Sequence, residues 1–351
     1  MKKIIVILII MSFFGCANNT TTKTKQTNKK PEKVILDTDM GSDCDDVGAL
    51  ALLHEYANQG NAEILGVIYS SGAVPYGVGI IDAINRYYDH STIPIGANYD
   101  ETFGDPVDKM NAQALANDTL VFHNTYISNR DVAEQTILNR KLLVAQNDNS
   151  ITYITIGHTK GLYDLMVSKP DSISNLSGAA LVNKKIKRWV ALGALKSSNI
   201  ELEYYTKDWN FFSNGTAIYT AYLLKHFVKP IYFVDGGSKV MTGGSLENTA
   251  KGNIVRETYE EWLWNFQKKT LKDQRPSWDL VTVYFAIKGV GEYFEILDKG
   301  YLYFDTEKGC KWIRSDSVTN QRFVIQKENT DIDFSNYLNK MISKNGIKKF
   351  E

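Results

Sequence analysis

Apolar positions along this chain fall into two spacings that take turns. Val34-Ile35-Leu36 is a short continuous run, and beyond a polar loop Val47, Leu50, Leu53 and Ala57 return at helical spacing. The pair predicts a strand, a loop and a helix. The alternation continues with a strand near 63–69, a helix near 77–88 and a strand at 93–97, followed by a longer polar loop. Helical spacing resumes over 131–146, then come the strand ITYITIG, the helical stretch GLYDLMVSK and the strand IKRWVALGAL. A helix near 216–226 and the strand PIYFVD complete the series. Six apolar strands interleaved with helices predict an α/β fold whose mostly parallel central sheet is covered on both faces. Ligands bind such sheets where loops leave the carboxyl ends of strands, so the residues just after each strand become the candidates for chemistry.

The last third reads differently, with a Trp-rich helix around 261–264, a helix over 278–286 and the hairpin-like run YLYFDTEKGCKWI. No Pro/Gly-rich break separates it from the rest. It is therefore expected to complete a single large domain, residues 34–351.

The amino terminus breaks the pattern. Met1-Lys2-Lys3 precedes the apolar run IIVILIIMSFF and then Gly15-Cys16. That run is too short for a membrane span of about 20 residues and has the dimensions of a signal-peptide core. A small residue before a Cys at the end of such a run resembles the bacterial lipoprotein signal. The resemblance implies that residues 1–15 are removed, that Cys16 is lipidated, and that the protein is an exported lipoprotein held at a membrane by its anchor alone. Residues 16–33, rich in Asn, Thr and Lys, then read as a solvated tether.

This segment also explains the charge. The chain has 40 Lys+Arg against 40 Asp+Glu, but seven of the Lys and only one of the acids lie in the first 33 residues, so the remainder is acidic. A nucleic-acid partner engaged through a broad basic field is not expected. Beyond Cys16 only Cys44 and Cys310 remain, which excludes a disulfide scaffold; no Cys/His cluster suggests zinc. Cys44, set among acids that disfavour a thiolate, reads as a small spacer.

The most informative segment is DTDMGSDCDDVGAL at 37–50. Asp37, Asp39, Asp43, Asp45 and Asp46 fall within ten residues directly after a buried strand, where their repulsion requires a cation or a protonated member. Oxygen donors without a nearby His favour Ca²⁺ or Mg²⁺. The alternative is a solvated acidic loop whose Asp45 and Asp46 only favour the start of the next helix.

The loop resembles the opening motif of the inosine-uridine-preferring nucleoside hydrolase family, DxDPGxDDxxAL. Met40 stands at the proline, and two residues are inserted before the Asp pair, which leaves Asp43 and Asp45 as competitors for the pair's first position. TIGHTKGL at 155–162 is similar to the family's strand-end GPLTN turn, KDWNFFSNGTA at 207–217 to its EFNxxxDPxA segment, and RPSWDLVTVYFA at 275–286 to its HDPxAVAYA segment.

The resemblance implies a calcium-dependent hydrolysis of the N-glycosidic bond of nucleosides or related N-ribosides, in purine or pyrimidine salvage. It implies Ca²⁺ held by Asp39, Asp46, Asp279 and the backbone carbonyl of Lys160, with Asp39 also the general base. Asp45, Asp208 and Asn210 would hold the sugar, Asp37 would orient the ligands, and the assembly would be a homodimer or homotetramer. Two positions depart from the family. Trp278 replaces the His before the distal Asp and becomes a candidate for stacking on base or sugar, and Ala73 replaces an Asn. His158 is a candidate acid or a structural residue. These departures keep two alternatives in view: a noncatalytic nucleoside- or sugar-binding lipoprotein, and a hydrolase of another sugar conjugate. The Trp262/Trp264 pair and Tyr284 read as core or rim packing.

Overall fold

A computed structural model describes residues 30–193 and 205–344. Cys16, the signal segment and most of the tether lie outside the described residues. The rest forms one compact unit from Pro31 onward.

Thirteen strands are present among the described residues. They are β1 Glu32–Thr38, β2 Ala62–Tyr69, β3 Ile95–Ala97, β4 Ala133–Glu134, β5 Ile151–Thr155, β6 Ile186–Leu192, β7 Ile231–Asp235, β8 Met241–Thr242, β9 Arg275–Pro276, β10 Phe294–Leu297, β11 Tyr301–Asp305, β12 Gly309–Ile313 and β13 Gln321–Gln326. Nine build the main sheet in the order β10-β13-β7-β6-β5-β1-β2-β3-β4, parallel throughout except for the β10–β13 pair. The expected α/β fold with a mostly parallel sheet is what the chain adopts. β1 lies inside the sheet, between β5 and β2, and is apolar on both faces, with Val34, Ile35 and Leu36 each buried, because helices cover both sides.

The helices are α1 Asp45–Asn58, α2 Gly77–Tyr87, α3 Ala112–Asn117, α4 Thr119–Phe122, α5 Gln135–Val144, α6 Lys160–Val167, α7 Gly178–Lys185, α8 Trp209–Phe212, α9 Ala217–His226, α10 Ile254–Gln267, α11 Trp278–Lys288 and α12 Asp331–Ile342. Two core clusters result, one to each face of the sheet's apolar side chains: Val34 and Leu36 join one, Ile35 the other. α1 is buried along nearly its whole length because it packs against α11 as well as β2.

The final third does complete the domain. β10 and β13 extend the main sheet beyond β7, while YLYFDTEKGCKWI forms the separate hairpin β11–β12. Tyr284 is core, packed against Tyr293, Phe334 and Tyr337. The Trp pair divides: Trp262 is buried and Trp264 exposed. Cys44 and Cys310 are both buried and are not joined to each other in a disulfide.

Candidate active site

The parallel strands deliver β1, β5, β6 and β7 to one end of the sheet, and the loops leaving them surround a cavity of about 390 Å³. Asp39, Asp43, Asp45 and Asp46 reach it from the loop after β1 and the first turn of α1. Trp278 and Asp279 reach it from the first turn of α11, and Asp208 and Asn210 from the start of α8. Segments more than 200 residues apart thus share one site.

Glycines let these segments touch. A Cβ on Gly157 would stand 2.4 Å from the Asp39 amide nitrogen, and one on Gly161 2.3 Å from Asp37 Oδ2. The turn that carries Lys160 is therefore pressed against the acidic loop on both flanks. The Lys160 ammonium points elsewhere, pairing with Asp164 at 3.0 Å, and Lys160 is not among the residues that line the cavity.

The acids are buried beyond what the protein's own charges can neutralise. Burial, then the neighbouring charges of Asp43 and Asp45, push Asp39 up to about 8. Burial lifts Asp37 to about 7, although the Tyr153 hydroxyl donates to its Oδ2 at 3.0 Å. Asp46 and Asp279 are raised well above the usual carboxylate range by burial and by the other acids, and the Thr38 hydroxyl donates to Asp46. Asp45, Asp46 and Asp279 offer oxygens within 4.8 Å of one another. A buried all-oxygen set with excess negative charge fits a hard divalent cation.

His158 is fully buried, and its Nδ1 lies 3.6 Å from Asp39 Oδ2, beyond a hydrogen bond. Its Nε2 accepts from the Asn214 amide at 3.1 Å, which places the ring proton on Nδ1, facing Asp39. Burial lowers its pKa to about 4, so it is neutral at pH 7. Asp208 caps α8, accepting from the Phe211 amide at 3.0 Å, and burial raises its pKa. Asn210 donates to the Ile156 carbonyl at 2.7 Å, fixing the side chain at the cavity wall.

Several lining residues carry no signal in the sequence pattern. Asp105 and Lys109, ion-paired at 2.6 Å, come from the long polar loop, and Lys207 and Trp209 flank Asp208. Asp235 ends β7, so the strand-end rule could have found it. Arg275 is the main residue missed. It lies behind the acidic loop, 2% exposed, and donates to Asp43 and to Asp45 Oδ1, the latter at 2.6 Å.

No family model matches the sequence, and no curated protein sequence does. Solved structures do match. The inosine-uridine preferring nucleoside hydrolase of Bacillus anthracis is 18% identical with a TM-score of 0.60, covering 88% of this chain and 99% of that one. The purine-preferring ribonucleoside hydrolase of Gardnerella vaginalis is 15% identical with a TM-score of 0.62, covering 89% and 98%. The type III effector protein XopQ, solved with adenosine diphosphate ribose, is 11% identical with a TM-score of 0.61, covering 90% and 94%. The chain has the nucleoside hydrolase fold.

Proposed function

We propose that this protein hydrolyses the N-glycosidic bond of nucleosides or related N-ribosides with the help of Ca²⁺, as a lipoprotein anchored through Cys16. The observation that carries this reading is the gathering of Asp39, Asp46 and Asp279 with Asp208 and Asn210 around one cavity in this fold. The donor set that would hold the ion is Asp39, Asp46, Asp279 and the Lys160 carbonyl, with Asp45 beside it. When bound, Ca²⁺ supplies a positive template for the sugar diol and acidifies water.

The chain's own groups do the rest. Asp39, ionised once its charge is balanced, takes a proton from the attacking water as oxygen bonds to the anomeric carbon. The bond to the base nitrogen breaks with its electron pair leaving on the base, and the sugar passes through an oxocarbenium-like state. The carboxylates of Asp45 and Asp208 and the amide oxygen of Asn210 accept from sugar hydroxyls and stabilise that charge. Asp37 and the Nδ1 proton of His158 bias the orientation of the acidic loop. Trp278, partly exposed at the cavity, offers a ring face to the leaving group.

Purified protein incubated with purine and pyrimidine ribosides tests this, with base release followed chromatographically. Chelator should abolish release and Ca²⁺ restore it; no chelator-sensitive hydrolysis across the panel overturns the reading. Cys16→Ser should move the protein from membrane to soluble fraction. A second reading, a hydrolase or binder of a larger sugar conjugate, is favoured by one observation: XopQ, of the same fold, was solved with adenosine diphosphate ribose. Adding that compound to the panel separates the two, and calorimetric binding without turnover identifies a binder.

A further inference from the structure

Arg275 belongs to none of the roles above, yet it touches both ends of the cavity wall. We propose that Arg275 is a positioning residue that fixes Asp45 at the acidic end and braces Trp278 along the wall, so that one buried side chain sets the spacing between cation and leaving group. The part concerning the cation rests on the function proposed above; the bracing of Trp278 does not.

The geometry is specific. Arg275 sits on the two-residue strand β9, paired with β8, immediately before the turn into α11. Its Nη1 bridges Asp43 and Asp45, taking Asp45 Oδ1 at 2.6 Å. Asp45 Oδ2 is then left on the side of Asp279, 3.5 Å from that residue's amide nitrogen. Arg275 thereby holds one Asp45 oxygen and turns the other toward Asp46 and Asp279, on the side where it would meet the sugar. The guanidinium carbon, meanwhile, lies over two indoles, 4.6 Å from the centroid of the buried Trp262 and 5.4 Å from that of Trp278. Arg275 Nε has no hydrogen-bond partner among the described residues, so the plane is held by ring faces and the Nη1 bridge rather than by a full set of acceptors. Trp262 is the buried ring of the pair, and Trp278, which lines the cavity, the exposed one.

Charge alone would not need an arginine here. A lysine supplies the same unit charge but no planar face, so it cannot stack over two indoles while bridging two carboxylates. Arg275→Lys therefore separates counter-charge from positioning. Arg275→Met separates them with opposite sign: losing a positive charge beside a cation site should by itself tighten cation binding, whereas losing the clamp on Asp45 should weaken it.

The experiment uses the full-length chain and three readouts. Ca²⁺ affinity is measured by calorimetry, kcat and KM on any riboside turned over, and acrylamide quenching of tryptophan fluorescence with Trp278→Phe variants as the subtraction control. Positioning predicts that Arg275→Lys stays folded, binds Ca²⁺ about tenfold more weakly, raises KM more than it lowers kcat, and makes Trp278 more quenchable. Arg275→Lys matching the parent within twofold in Ca²⁺ affinity and in Trp278 quenching overturns the proposal, as does Arg275→Met binding Ca²⁺ more tightly than the parent. If Arg275→Met fails to fold, Arg275→Lys alone decides. If the parent chain binds no Ca²⁺, the proposed function has failed; unchanged quenching of Trp278 in Arg275→Lys then overturns the bracing role, and increased quenching supports it.

Discussion

Two arginines are buried among the described residues, and their surroundings are opposite. Arg140, on α5, donates to the Ser168 hydroxyl, to Asp171 and to the carbonyls of Ser174 and Leu176, all at 2.9–3.0 Å. One cation meets one carboxylate and a set of neutral acceptors, and the hydrogen bond from Arg140 holds Asp171 below its ordinary pKa. Arg275 faces a crowd instead. Even with its guanidinium alongside, burial pushes Asp43 up to about 7, and Asp37, Asp39, Asp46 and Asp279 are raised as well. The first cluster is finished; it ties α5 to the loop after α6, and none of its members lines the cavity. The second is short of positive charge, which is the property the proposed cation site needs.

The largest contrast should appear on neutralising one acid. Asp39→Asn removes the proposed base and is expected to cut kcat by about 10³-fold. The same change relieves repulsion among buried carboxylates, so the chelated protein should melt no lower than the parent. Activity within tenfold of the parent would remove Asp39 from the mechanism, and a lower melting temperature would show the acidic loop to be as finished as the Arg140 cluster.

Arg140→Met should do the reverse. Arg140 is buried although Asp171 is exposed, so its loss leaves the Ser174 and Leu176 carbonyls without their donor; this should read as a lowered urea midpoint, while Ca²⁺ affinity and kcat/KM of the folded variant stay as in the parent. A fall in Ca²⁺ affinity would couple the two clusters and erase the distinction.

How much of this contrast was legible beforehand follows from chain distance. The acidic loop announces itself because five carboxylates are adjacent in sequence, and β1, β2, β5, β6 and β7 because continuous apolar runs are required of strands buried on both faces. Arg275 does not, because its partners lie 230 and 232 residues earlier and an isolated Arg in a polar loop carries no spacing to read. The same holds for Asp105 and Lys109. β13 escapes for another reason: it enters between β7 and β10, an order that hydrophobic periodicity cannot encode. Asp45 shows the limit most clearly. The motif marks it as a sugar ligand, but whether its oxygens are free depends on Arg275, which only the folded chain brings to it.

The smallest effect is a pH dependence of opposite sign at the two clusters, worth about 1.4 kcal/mol per pH unit at the buried Asp37. Asp37 is buried and its folded pKa is raised to about 7, above its ordinary 3.8. Below pH 4 both folded and unfolded chains carry its proton, and its contribution to stability is whole. As pH rises, the unfolded chain releases the proton first, so stability drains away until the folded carboxyl ionises near 7. Asp171, with its pKa lowered, contributes above the ordinary carboxylate range and loses that contribution only as pH falls. Between pH 5 and 7 the chelated protein should therefore melt progressively lower, since Asp171 is already ionised in both states and cannot offset Asp37 and its neighbours. Asp37→Asn should flatten the slope, and so should saturating Ca²⁺, which favours the ionised acids in the folded chain. A chelated melting temperature that holds steady or climbs from pH 5 to 7 would mean that the acidic loop is neutralised by the protein itself, and the difference between the two arginines would vanish with it.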